Sequence, residues 1–225
     1  MKFKGLMGLA AAGVLALVCT PQANATVQIK LTNGASTVTI VDGGAGDVCA
    51  AANCVTFSGT LGNYVVNIST GLANNFNPFL DLNSVNLAVA GNAGLLTIEA
   101  SADGYSVGAP QFNLQVGGTS GLGGATTFAA YGGTNNTLFN KTHQIGSTLV
   151  FAPGVTPYSG VSTGGGSTVN PYSLTLVATL NGLTAGAASF NAAIDAVPEP
   201  VSVSLLGGVL LLSATALRRK LSKTA

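Results

Sequence analysis

Short runs in which apolar and polar residues strictly alternate constrain this chain more than any other feature. Val27, Ile29 and Leu31 alternate with Gln28, Lys30 and Thr32. Tyr64, Val66 and Ile68 share one side around Val65 and Asn67. Val55 and Phe57, Phe112, Leu114 and Val116, Leu149 and Phe151, and Leu174, Leu176, Ala178 and Leu180 follow the same rule. A period of two places one face of a strand against a core and the other against water. In the run Leu80, Leu82, then Val85, Leu87, Val89, the phase shifts at Asn83-Ser84, which predicts a bulge or tight turn. No stretch of the body shows a convincing 3.6-residue period.

Gly and Asn punctuate the runs at Asp42-Gly43-Gly44, Gly91-Asn92, Asp103-Gly104, Gly117-Gly118, Gly132-Gly133 and Asn181-Gly182. Each is a candidate hairpin turn. Thr119 to Thr137 and Val155 to Asn170, rich in Gly, Ser and Thr, read as long loops, most flexible at Gly164-Gly165-Gly166. The Ala-rich stretch Ala185 to Ala193 reads as a last strand. The expected fold is all-β: an antiparallel β-sandwich or jelly-roll-like domain. Its polar faces carry Ser, Thr, Asn and Gln in place of charge. Edge strands so poor in Lys and Glu are weakly guarded against pairing with another chain, so self-association is expected.

The two ends differ from the body. Lys2 and Lys4 precede an apolar run from Leu6 to Val18, and Ala23-Asn24-Ala25 is a small-x-small cleavage pattern. This reads as a signal peptide over 1–25, cut between Ala25 and Thr26. At the other end Val201 to Leu217 is free of charge. As a helix it would cover roughly 25 Å, slightly short of the ~30 Å hydrocarbon core. Arg218, Arg219 and Lys220 follow it and would stay on the cytoplasmic side, placing the body across the membrane. Pro198 and Pro200 hold Glu199 in an extended, exposed stretch, accessible to a processing enzyme. The plain alternative is a stop-transfer anchor with a proline-rich stem.

Val197-Pro198-Glu199-Pro200, a short apolar helix and Arg218-Arg219 near the chain end, in that order, resemble the PEP-CTERM sorting signal. The resemblance covers only about the last thirty residues. It implies export in a Gram-negative bacterium that makes extracellular polysaccharide. An exosortase-type membrane enzyme would read Pro198, Glu199 and Pro200 and process the chain. The organisation expected is a signal peptide (1–25), an extracellular β-sandwich (26–194), a stem with the motif (195–200), a transmembrane helix (201–217) and a basic cytoplasmic tail (218–225). The implied location is the cell surface or the exopolysaccharide matrix of a biofilm, with the helix holding the protein in the inner membrane before any processing.

Composition narrows the chemistry. Between Thr26 and Ala196 there are two lysines, Lys30 and Lys141, against Asp42, Asp47, Asp81, Glu99, Asp103 and Asp195, a formal charge of −4. Such a body has no electrostatic grip on phosphate backbones, which argues against nucleic acid as a partner. After export two cysteines remain, Cys49 and Cys54, expected to form a small disulfide loop in an oxidising compartment. The single histidine, His143, sits in a polar stretch with no triad around it. Asp42 and Asp47 in a Gly-rich loop are weak calcium candidates beside a plain Asp-Gly turn. Tyr105, Tyr131, Tyr158 and Tyr172 fall near expected turns, where exposed rings could stack on sugars. Glu99 and Asp103 are the nearest approach to a hydrolase carboxylate pair, though most such residues serve turns or a solvated face.

The expectation is therefore a non-enzymatic surface or matrix protein without a cofactor. The alternatives are a carbohydrate- or calcium-dependent binding module or adhesin on the same anchor and, further off, a glycan hydrolase.

Overall fold

A computed structural model describes residues 26–74, 78–109, 111–154, 156–166 and 169–197. Twelve strands follow one another in the order β1 (Val27–Asn33), β2 (Ser36–Val41), β3 (Cys54–Leu61), β4 (Tyr64–Asn74), β5 (Phe79–Val89), β6 (Gly94–Tyr105), β7 (Gln111–Ser120), β8 (Gly123–Gly133), β9 (His143–Phe151), β10 (Tyr158–Gly165), β11 (Tyr172–Gly182) and β12 (Gly186–Ala196). They form two antiparallel six-stranded sheets, β2-β1-β6-β11-β8-β9 and β10-β7-β12-β5-β4-β3, here called sheets A and B. The sheets face each other as a β-sandwich, as the alternation requires.

The inward positions are those the period-two pattern marks. Val27, Ile29, Leu31, Tyr64, Val66, Ile68, Phe112, Leu114, Leu174, Leu176 and Leu180 are buried in one continuous core. Phe128 sits at its aromatic centre, edge-on to Phe190 at 5.0 Å and to Phe151 at 6.0 Å. The phase shift at Asn83-Ser84 is a bulge inside a continuous strand: the β5–β12 register slips between Val85–Phe190 and Leu82–Ala192.

Several expected turns and loops are strands instead. Asp103-Gly104 lies within β6 and Gly117-Gly118 within β7. The expected loop from Thr119 to Thr137 contains β8, which pairs on both sides. The expected loop from Val155 to Asn170 contains β10. Small residues misled because they also mark crowded backbone. A Cβ on Gly164 would overlap the Gly146 backbone, where β10 crosses β9 between the sheets. Glycine at such a point serves packing, and the stretch reads as flexible only when that neighbour is unknown.

The last strand runs further than the boundary at 194 allows. Asp195 and Ala196 belong to β12, and the Val197 N–H donates to the Gln111 carbonyl at 2.9 Å. Ala25, the motif Pro198-Glu199-Pro200, the stretch 201–217 and Arg218, Arg219 and Lys220 lie outside the described residues. Among the described residues no helix is long and apolar enough to cross a membrane.

Candidate functional site

The outer face of sheet B carries a groove of about 400 Å³. Its floor comes from the register of four strands. Val161, Gln115, Ala193 and Asp81 lie opposite one another across β10, β7, β12 and β5, and Ser159, Gly117 and Asn191 form the adjacent row. Small side chains at Gly117 and Ala193 leave the depression, and amide, hydroxyl and carboxylate groups project into it. One row further along stand Thr163, Asn113, Asp195 and Phe79. The Gln115 amide donates to Asp195 Oδ2 at 3.0 Å, and the Thr163 hydroxyl donates to Asn113 Oδ1 at 2.6 Å. Phe79, half-buried on the same face as Asp81, is the aromatic ring at that end.

Asp81 and Asp195 are diagonal neighbours on adjacent strands, Asp81 opposite Ala193 and Asp195 two residues beyond it. Diagonal positions are roughly 7–8 Å apart between Cα atoms, close enough for two carboxylates to repel. Burial, and after it the Asp195 charge, push the Asp81 carboxyl up to about 6. Burial also raises Asp195. Neither makes an ion pair among the described residues.

Both body lysines are committed elsewhere. Glu99, 4% exposed on the outer face of sheet A, pairs with Lys30 at 2.5 Å and with Lys141 through its other oxygen. Lys30 also lies over the Phe139 ring, 4.3 Å from its centroid. The loop 134–142 that brings Phe139 and Lys141 is fastened to this face. The Phe139 N–H donates to Ser101 Oγ at 2.8 Å, the Ser173 hydroxyl to the Thr137 carbonyl at 2.8 Å, and the Gly104 N–H to Asn136 Oδ1 at 2.7 Å.

The other sequence candidates take structural places. Glu99 is neither in a turn nor on a solvated face, since the loop and two lysines bury it. Asp103 shares its strand four residues on, roughly 13 Å away at the rise of a strand, beyond the separation of a glycosidase pair. Asp103 Oδ1 accepts the Thr26 N–H at 3.1 Å. Three of the four tyrosines proposed as sugar platforms are core residues: Tyr105 and Tyr172 are fully buried and Tyr158 nearly so. Tyr105 and Tyr172 stack on each other at 5.3 Å and donate their hydroxyls to the Phe79 and Val107 carbonyls at 2.7 and 2.8 Å. Tyr131 is half-buried on β8. His143 opens β9 and is exposed.

Cys49 and Cys54 are disulfide-bonded. Beside them the acids of the Gly-rich loop hold backbone donors. Asp47 accepts N–H groups from Gly43, Cys49 and Thr56 at 2.9 Å each, and Asp42 accepts that of Asn53 at 2.8 Å. Burial pulls the Asp47 carboxyl upward, but the N–H donors of Thr56, Cys49, Gly43 and Val48 together outweigh it and leave it below the usual range. Among the described residues no three His, Cys, Asp or Glu side chains gather into a metal-sized group.

The groove is not legible in the sequence because it needs β5, β7, β10 and β12 side by side, and the Gly-, Ser- and Thr-rich sequence of β10 reads as a loop. The available signal was that Asp81 and Asp195 each sit on the polar face of an alternating run.

No protein-family model and no curated protein matches the chain. Among solved structures it is similar to the enzymatically active domain of tailspike protein 4 of bacteriophage CBA120, with 11% identity and a TM-score of 0.33 over 60% of this chain and 19% of that one. This chain thus spans about a fifth of that protein's length. It is similar also to the K1 adhesin domain of Lys-gingipain from Porphyromonas gingivalis W83, with 11% identity and a TM-score of 0.32 over 64% and 99% of the two chains. A third is the carbohydrate-binding module TmCBM61, solved with beta-1,4-galactotriose, with 8% identity and a TM-score of 0.31 over 52% and 78%. At these scores the similarities establish no common ligand.

Proposed function

We propose that this is an exported, non-enzymatic protein of the cell surface or exopolysaccharide matrix that binds polysaccharide in the groove of sheet B. The groove carries this reading: hydroxyl, amide and carboxylate groups of Ser159, Asn191, Gln115 and Asp81 line one open depression. Such a row matches the alternating donors and acceptors of a sugar chain. Two carboxylates with no cation nearby among the described residues disfavour uronic-acid polymers and favour neutral or amino-bearing glycans.

Affinity electrophoresis of the full chain tests it, using gels that contain a neutral galactan, a partially deacetylated chitin or an alginate. Retardation is expected on one of the first two and not on alginate. Gln115→Ala should weaken it by roughly tenfold, the loss of one good polar contact. No retardation on any gel, or equal retardation of wild type and Gln115→Ala, rejects the binding reading.

The address rests on the sequence, from the leader over 1–25 and the Pro198-Glu199-Pro200 motif with its apolar stretch and Arg218-Arg219. An exosortase-type enzyme is its partner, and the membrane holds it before processing. Intact mass of the protein recovered from its native host tests this. A chain running from Thr26 to the region of Val197–Pro200 supports sorting, and one still ending at Ala225 makes the tail a plain anchor.

One observation favours a second reading, hydrolysis: Asp81, held partly protonated near neutral pH, stands beside Asp195. Reducing ends released from the bound polysaccharide, and abolished by Asp195→Asn, would replace the binding reading with it.

A further inference from the structure

The floor of the sheet B groove contains a glycine that the fold does not require. Gly117 lies inside β7, and its φ is outside the left-handed region that favours glycine. A Cβ added there would meet no atom of the described residues within 4 Å. Its neighbours differ. On Gly118 a Cβ would overlap the Ser189 carbonyl, and on Gly160 it would press on Phe151 and Leu149 at 3.2 and 3.3 Å. A glycine inside a strand costs backbone entropy and gives up side-chain packing. Without a steric cause in the fold, it marks a place where something else approaches the main chain.

The pairing register arranges the groove as a checkerboard. Val161 opposes Gln115, which opposes Ala193, which opposes Asp81; in the adjacent row Ser159 opposes Gly117, which opposes Asn191. Small and apolar positions therefore step diagonally across the strands, from Val161 to Gly117 to Ala193. Polar groups fill the alternate squares. Ser159 stands on one side of that path, Gln115 on the other, Asn191 back on the first and Asp81 on the second. Val161 is 62% exposed, an apolar side chain left open in the groove. With strands about 4.8 Å apart, the path crosses the four strands in roughly 14 Å, and the polar side changes once per strand.

The sugar chain with that alternation is the extended ribbon made by equatorial 1→4 linkages. Each residue of it is turned half a revolution from the one before, so a given polar edge points to opposite sides in turn. The ring C–H faces lie on the flat of the ribbon, and one residue advances the chain by about one strand spacing. A coiled chain, as an axial linkage gives, presents no such flat face. Resting on the polysaccharide-binding reading above, we infer that the groove takes about three consecutive residues of an extended, two-fold ribbon glycan running across the strands. One ring is seated on the main chain of Gly117. Val161 and Ala193 support the flanking rings at their C–H faces, and Ser159, Gln115, Asn191 and Asp81 meet the ring edges from alternate sides. Gly117 is the specificity-determining position, because its missing side chain is what lets a ring down to the floor.

Isothermal titration calorimetry of the full chain in a mild detergent tests this. The probes are oligosaccharides of increasing length. Cello-oligosaccharides and partially deacetylated chito-oligosaccharides are ribbons, and malto-oligosaccharides coil. At least one ribbon series is expected to bind, gaining affinity up to about three residues and little beyond, and binding roughly tenfold or more tighter than the malto series. Gly117→Val should weaken ribbon binding by roughly tenfold or more. It should not lower the thermal midpoint, since the added side chain has open space in the fold and suits a strand. If the midpoint does fall, Gly117→Ala, the smaller addition, takes its place. Unchanged affinity in the folded Gly117 variant overturns the inference, as do malto-oligosaccharides bound as well as the ribbons. A chain that binds neither ribbon series yet is retarded by the galactan gel overturns it too, and leaves the polysaccharide-binding reading standing. Absence of binding to every glycan removes that reading and the inference with it.

Discussion

The two outer faces of this sandwich are built from the same alternation and handle their acids in opposite ways. On sheet A, Glu99 is covered by the loop 134–142 and held by Lys30 and Lys141. On sheet B, Asp81 and Asp195 share an open groove with amides and hydroxyls and, among the described residues, no cation. With two lysines in the body, a neutralised acid on one face leaves unneutralised acids on the other. A buried carboxylate with its partners supplied holds a loop in place. A half-buried pair that has no counter-charge among the described residues stays costly in the free protein and available to a ligand.

The largest test of this contrast is the removal of Glu99. Glu99→Ala strands two ammonium groups on a face that the loop covers, and it removes what draws Lys141 inward. Breaking a buried ion cluster in this way should cost about 3 kcal/mol. For a chain of this size that lowers the thermal midpoint by roughly 6–12 °C. A loss under about 1 kcal/mol in thermal or urea unfolding would class the cluster with ordinary surface pairs and remove the contrast between the faces.

How much of this was legible beforehand depends on whether a residue's role is local. The inward residues of β1, β4, β7 and β11 follow from period two alone, and the β5 bulge follows from one break in phase. The disulfide partners were legible from their spacing and from the oxidising compartment that the leader leads one to expect. By contrast, β8 and β10 were hidden because Gly, Ala, Ser and Thr look the same in a loop and in a strand pressed against neighbours. Tyr105 and Tyr172 lie beside turns in the chain yet point into the core, where carbonyls from Phe79 and Val107 accept their hydroxyls. The groove was illegible for the same reason as the Glu99 cluster. Asp81 with Asp195, or Lys30 with Lys141, are brought together only by strand order, which alternation does not encode.

The groove should show its cost as a pH effect. Asp81 is pushed up to about 6 from an ordinary value of 3.8, so the folded state binds its proton more tightly than the unfolded chain. Its contribution to stability is therefore fully present below about 3.8 and is lost as pH rises through about 6. Asp81→Asn keeps that contribution at every pH. At pH 7.5 it should be more stable than wild type by about 1 kcal/mol, a figure already reduced for the exposure of the carboxyl. Near pH 3.5 the two should converge, while retention on polysaccharide gels falls. Equal stability at both pH values would show that Asp81 is strained neither by its burial nor by the Asp195 charge.

Gln115→Lys sharpens the comparison by making sheet B resemble sheet A. The new ammonium would stand where the Gln115 amide meets Asp195 at 3.0 Å, across Ala193 from Asp81. It should draw both carboxyls back toward their ordinary range and raise stability at neutral pH by less than about 1 kcal/mol, because the site is open to water. The signature is a flattened pH dependence together with lost polysaccharide binding. Flattening with binding intact would move the ligand away from this row.

The smallest effect separates the two lysines of sheet A. Lys30 is less exposed than Lys141, 29% against 42% at the side chain, and lies over Phe139. Lys141 is the second cation on a carboxylate that one cation already balances, so its attraction to Glu99 is partly offset by repulsion from Lys30. Lys141→Met should therefore change stability by no more than about 0.5 kcal/mol, as for exposed pairs, and Lys30→Met by more. A double-mutant cycle between them should show coupling of opposite sign to that of each lysine with Glu99. If Lys141→Met proves the costlier change, the loop is held mainly by its charge, and the hydrogen bonds from Phe139 and Ser173 are secondary.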